Sequence, residues 1–143
     1  MTMMQAVNIC FSKYFTFSGR ARRAEYWWFA LFLIIVSIAL GVLDGLLFGM
    51  SMESGGPLGA LFSLATIIPS IAAGARRLHD IDRTGWWLLM FFVPMIGWIV
   101  LLVFFVTRGT SGANRFGPDP LSGKDDGPAE GFASSSIPPV NRD

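Results

Sequence analysis

The sequence predicts an all-α, polytopic membrane fold: a short N-terminal interfacial amphipathic helix, three transmembrane helices and a disordered C-terminal tail. Three observations carry that expectation. Apolar residues make up 52% of the 143 positions and charged residues only 15%, against about a quarter charged in ordinary soluble chains. The charges also leave long gaps. Apart from Asp44, no formally charged side chain lies in 26–50, and none lies in 58–75 or 86–106. A crossing helix needs about 20 apolar residues, whereas a helix in water must show a polar face. Finally, arginines run twice into a tryptophan pair: Arg20, Arg22 and Arg23 before Trp27 and Trp28, then Arg76, Arg77 and Arg83 before Trp86 and Trp87. Arginine marks the cytoplasmic side of a bilayer and tryptophan settles at headgroup level.

Residues 3–17 set Val7, Cys10, Phe11, Tyr14 and Phe15 at helical spacing among Gln5, Asn8, Ser12 and Lys13, the pattern of a helix lying in the membrane interface. Ser18 and Gly19 end it. The first span is expected over 26–50, and residues 51–58, which carry no Lys or Arg, lead to a second span over 58–75. A loop at 76–85 holds three arginines, and a third span is expected over 86–106. Positive residues gather before the first span, vanish after it and return after the second. The positive-inside bias therefore predicts a multi-pass protein with a cytoplasmic N-terminus. Pro94 and Gly97 interrupt the third stretch, and Arg108, Arg115 and Lys124 follow it. A re-entrant hairpin is the alternative, although halves of about ten residues are too short to cross alone. Three full spans are the expectation. Turn formers fill 107–120 and complete an integral membrane domain over 1–120. The polar, acidic, Pro/Gly/Ser-rich stretch 121–143 reads as disordered.

Ser37, Gly41, Gly45 and Gly49 recur every four residues in the first span, and the second offers Gly59, Ser63, Thr66, Ser70 and Gly74. Small side chains let helix backbones approach closely, so the two stripes are expected to pack on each other, with a homodimer seam as the rival. Asp44 is a candidate proton or cation relay, since a carboxylate inside a span is a functional hypothesis by default. Its position about 27 Å along the helix from Tyr26 favours instead a structural carboxylate near the far interface. Pro69 and Pro94 each free the carbonyl four residues earlier, of Ala65 and Met90.

One histidine and one cysteine cannot supply a zinc site, and no nucleophile–base set assembles around His79-Asp80. The glycines at 109, 112 and 117 lack the Gly-Lys-Ser/Thr of a P-loop. No metal, cofactor or enzymatic activity is expected. The net charge of +1 hides nine Lys/Arg against five Asp/Glu over 1–115, a modest excess beside apolar spans that points to anionic lipid rather than nucleic acid. The candidate lipid-binding interface is Arg20, Arg22, Arg23, Trp27, Trp28, Arg76, Arg77, His79, Asp80, Arg83, Trp86 and Trp87. There arginine forks can meet lipid phosphate while aspartates hold them in register.

Five motifs occur in order: Gly19-Arg-Ala-Arg-Arg-Ala-Glu-Tyr-Trp, Arg76-Arg-Leu-His-Asp, Gly85-Trp-Trp, Pro94-Met-Ile-Gly-Trp and Asn114-Arg-Phe-Gly-Pro-Asp-Pro. Over about 5–120 the chain thereby resembles the YhaH/YhaI-like (DUF805) family of small bacterial inner-membrane proteins. The resemblance implies a bacterial cytoplasmic (inner) membrane location and a compact helical membrane domain, and it supplies no activity. Its motif residues carry over as Gly19, Arg20, Arg22, Arg23, Glu25, Tyr26, Trp27, Arg76, Arg77, His79, Asp80, Trp86, Pro94, Gly97, Asn114, Arg115, Phe116 and Gly117. The functional expectation is a non-enzymatic membrane protein whose Arg/Trp interface engages anionic headgroups, a membrane-protein partner or a second copy. The alternative is a small oligomeric transporter or channel subunit built around Asp44 and the prolines.

Overall fold

The computed structural model describes residues 1–51 and 53–122; residues 123–143, most of the tail expected to be disordered, lie outside the described residues. A short helix α1, Met3–Ser12, precedes two long ones, α2, Arg23–Phe48, and α3, Pro57–Asp80. At 1.5 Å per residue the long pair run about 39 and 36 Å, and both are long and apolar enough to cross a membrane. Gly49 in left-handed conformation closes α2, as glycine commonly does after a last helical turn. The outer surface of the long helices and of 86–106 is largely apolar: Leu46 and Phe92 are each 78% exposed, and only 6% of the most apolar window of α2 is buried. Soluble monomers do not leave such continuous apolar surface in water. Among the described residues the chain is helical, with one isolated bridge between Asn114 and Gly117.

α1 opens with a capping box, in which Thr2 and Gln5 each satisfy the other's backbone amide. Its inner side (Val7 and Cys10) packs against Phe29 of α2 and Ala73 of α3, and Phe11 sets its ring edge-on to Phe29 and Phe32. The helix stops at Ser12, short of the expected residue 17. Tyr14 instead turns inward, and its hydroxyl donates to the carbonyl of Ala65. That is the carbonyl which Pro69, lacking an N–H, leaves without its helical partner.

Two further expectations need correction. The arginine loop expected from residue 76 is helical through Asp80, because Arg76, Arg77 and Asp80 are buried and find partners inside the protein. The stretch 86–106 is not one continuous helix. It forms a 3₁₀ helix, Gly85–Phe92, then a break, then α4, Ile96–Val106. Pro94 cannot donate, and Val93 before it is extended with its N–H on Met90 O at 3.0 Å. Met95 follows at φ 63 and ψ −69, and Ile96 N–H donates to Pro94 O at 2.8 Å, which makes a tight γ-turn. The two legs then pack on each other. A Cβ on Gly97 would lie 1.8 Å from Met90 O, so only glycine permits the approach, and Trp98 Nε1–H donates to Phe91 O at 2.9 Å. Each leg spans about 16 Å. The hairpin returns to where it began: Gly85 lies against Ala75, and the carbonyls ending α4 lie against Arg77.

The small-residue stripes divide their work. Gly56 and Gly59 take α3 close to Asp44 of α2, whereas Gly74 faces Leu88 of the 3₁₀ helix rather than α2. Ser37 and Ser63 are exposed, Gly41, Gly45 and Ser70 are half-buried, and Gly49 serves as the helix cap.

Candidate functional site

Where α2 begins and α3 ends, three guanidinium groups and two carboxylates are enclosed. Arg76 has no exposed surface; one terminal nitrogen donates to Glu25 and the other approaches Cys10 Sγ at 3.9 Å. Its Nε has no hydrogen-bond partner among the described residues. Arg77, equally buried, donates to Asp80 Oδ2 at 2.9 Å, to Phe105 O at 3.1 Å and to Thr107 O. Arg20 donates to Asp80 Oδ1 at 3.0 Å, to Gly112 O at 2.6 Å and to Thr110 O. An enclosed charge is costly unless it is paired and fully hydrogen-bonded. Two carboxylates cannot neutralise three cations, and backbone carbonyls make up the difference.

Several of those carbonyls have no other partner. The last turn of an α-helix leaves its C=O groups unbonded and carries a partial negative charge. At the end of α4, Arg77 takes the carbonyls of Phe105 and Thr107, Arg23 takes Val106 O at 3.3 Å, and Trp27 Nε1–H adds a second bond to Phe105 O at 3.3 Å. Cations thus sit where the helix dipole favours them. The following segment is latched onto the same place. Thr110 N–H donates to Asp80 O at 2.7 Å, Asn114 Nδ2 to His79 O at 2.9 Å, and a Cβ on Gly109 would strike the Asp80 carboxylate at 2.0 Å. His79 Nδ1–H donates to Gly19 O at 3.0 Å while the ring stacks on Phe116 at 4.0 Å. Motifs far apart in sequence therefore meet at one end of the molecule.

The expected interface residues sort into two sets. Arg20, Arg76, Arg77 and Asp80 are interior, and His79 is half-buried; these side chains hold the fold and present no open face to a headgroup. Arg23, Arg83, Trp27, Trp28, Trp86 and Trp87 are exposed, and Arg22 is half-buried. The Arg83 guanidinium lies 5.6 Å from the ring centres of both Trp87 and Phe104, within cation–π range. The candidate interface left out Lys13 and Arg108, which are exposed, and sequence reasoning missed the pairing of Glu25. The signal for Glu25 was its place in the arginine motif, as the one acid among three arginines.

Asp44 sits at the opposite end, 1% exposed, and its two oxygens accept Leu58 N–H at 3.1 Å and Gly59 N–H at 2.9 Å. α3 starts from Gly56, which has no side chain to cap it, so α2 supplies the capping carboxylate. A Cβ on Gly56 would lie 2.1 Å from that carboxyl carbon. Outside the long helices, burial together with Glu25 pushes the Cys10 thiol up to about 11. Backbone amides of Leu121 and Gly112 hold Asp119 below the usual carboxylate range.

The chain is similar to known inner membrane proteins. The model of a family described as protein of unknown function (DUF805) matches residues 14–118. The chain is 54% identical over 110 residues to the inner membrane protein YhaI of Escherichia coli (strain K12), covering 77% of this chain and 90% of that protein. It is 47% identical over 107 residues to the inner membrane protein YhaH of the same strain, covering 75% and 88%. No solved structure matches.

Proposed function

Because the chain belongs to the DUF805 family, whose relatives are named inner membrane proteins, we propose that it is a non-enzymatic multi-pass protein of the bacterial inner membrane that engages anionic lipid headgroups. In this reading α2 and α3 cross the bilayer, the N-terminus is cytoplasmic, and the hairpin of 85–106 enters about halfway and returns. The legs of about 16 Å fit half of a core roughly 30 Å thick. The segment 107–122 then lies on the cytoplasmic side with the arginines. One observation carries the lipid reading. Among the described residues, the cations neither enclosed in the fold nor ion-paired, Lys13, Arg22, Arg23, Arg83 and Arg108, gather at the end where Trp27, Trp28, Trp86 and Trp87 are exposed. The opposite end, residues 45–60, has no Lys or Arg. An anionic leaflet attracts each basic residue near it by about 1 kcal/mol, so this asymmetry favours one leaflet and one sign of lipid.

The test is native mass spectrometry of the protein released from membranes of mixed composition. Phosphatidylglycerol or cardiolipin should remain bound in preference to phosphatidylethanolamine, and the preference should weaken as salt rises. Equal retention of anionic and zwitterionic lipid at low salt would sink the proposal.

A further inference from the structure

We propose that one anionic phospholipid is held stoichiometrically, with its phosphodiester seated between α1 and the start of α2. This rests on the lipid-engaging reading above and assigns the specific contact within it. Two adjoining clefts, of about 640 and 360 Å³, open beside α1 and meet at Met1, Ile9 and Arg22. The smaller is lined by Lys13, Arg20, Arg22 and Glu25. Arg20 is bound to Asp80 and Glu25 to Arg76, so those two leave the cleft no net charge. Lys13 and Arg22 differ: neither side chain has a hydrogen bond or ion pair among the described residues.

Two unneutralised cations thus border a cavity of headgroup size. A phosphodiester carries one charge on two unesterified oxygens. A guanidinium fork can take both oxygens and an ammonium a remaining lone pair. Exposed Asn8, at the larger cleft, offers an amide to a headgroup hydroxyl. The surroundings favour a lipid over a soluble phosphate. The inner side of α1 packs on two helices that are long and apolar enough to cross a membrane, and Phe15 and Phe17, just beyond Lys13, are exposed. Hydrocarbon is therefore available beside the cations for acyl chains.

The full chain in mixed nanodiscs, followed by native mass spectrometry after delipidation, tests this. Wild type should keep one phosphatidylglycerol, and Lys13→Gln with Arg22→Gln should lower its retention about tenfold or more. Arg115→Gln, outside the cleft and already paired with Asp82, should behave as wild type. The double variant breaks no ion pair, and an unchanged thermal midpoint verifies its fold; if it melts early, the single variants decide by the same readout. Retention unchanged in the cleft variants, or equal loss in Arg115→Gln, overturns the assigned site while leaving the general lipid preference standing. Displacement of the lipid by excess inorganic phosphate overturns the lipid in favour of a soluble anion. A wild type without anionic preference overturns the underlying reading itself.

Discussion

Arg76 and Arg22 look alike in sequence, yet one is sealed inside and the other borders an open cleft. The difference is Glu25, which reaches Arg76 across 51 positions. Glu25→Ala leaves Arg76 buried and unpaired, so it should lower stability by about 3–5 kcal/mol, whereas replacing both partners with Met and Leu should be close to neutral. Tryptophan-fluorescence melts in detergent would show the contrast. Cys10 belongs to the same enclosure. Its thiol is raised to about 11 from an ordinary 9.0, by burial first and Glu25 second. An acid whose pKa is raised by folding contributes stability below its unfolded value, and that stability is lost as pH climbs, here between about 9 and 11. A maleimide at pH 8 should therefore react slowly with folded protein and rapidly after denaturation. Fast labelling of the folded state would contradict the enclosure. Sequence shows where charge lies along the chain, but enclosure depends on which distant group meets it. The exposure of the Trp pairs was therefore legible, and the interior roles of Arg20, Arg76 and Arg77 were not.

At the scale of elements, the long helices were readable because about twenty apolar residues summed together give an unambiguous signal. The third stretch has the same sum but a different shape. Pro94 and Gly97 marked its weak point, and only the packing of Gly97 on the Met90 carbonyl decides that the halves fold together. Gly97→Ala should force the legs apart and cost about 1–3 kcal/mol, with a lower melting midpoint and freer access of quenchers to Trp98. The contact of Tyr14 with α3 makes a separate prediction. Tyr14 satisfies the Ala65 carbonyl that Pro69 leaves open, so Tyr14→Phe should cost about 1 kcal/mol. A Pro69→Ala background restores the helical donor and should make the same Tyr14 change nearly silent. Equal losses in both backgrounds would refute the link.

For the whole molecule, the two ends of the 85–106 hairpin meet the same end of α3, which makes the position of the following segment a matter of experiment. Topology reporters fused at the N-terminus and after residue 122 should read the same side. Opposite sides would require the third stretch to cross completely, as its length alone suggested. Hydropathy is blind to direction and reads the broken stretch as one unbroken helix; the positive charges after residue 107 are the sequence feature that fits a returning hairpin.

The latch around Arg20 and Arg77 also imposes an order in time. Arg20 takes carbonyls at Thr110 and Gly112, and Arg77 takes one at Thr107. A ribosome delivers the arginines long before those acceptors exist. During synthesis they must stay hydrated, and hydrated arginines are what hold a nascent segment at the membrane surface. Only when the last motif has emerged can they be drawn inside. A chain released early, near residue 106, would leave Arg20 and Arg77 to share Asp80 without the carbonyls of Thr107, Thr110 and Gly112, the kind of unfinished product that cellular proteases remove.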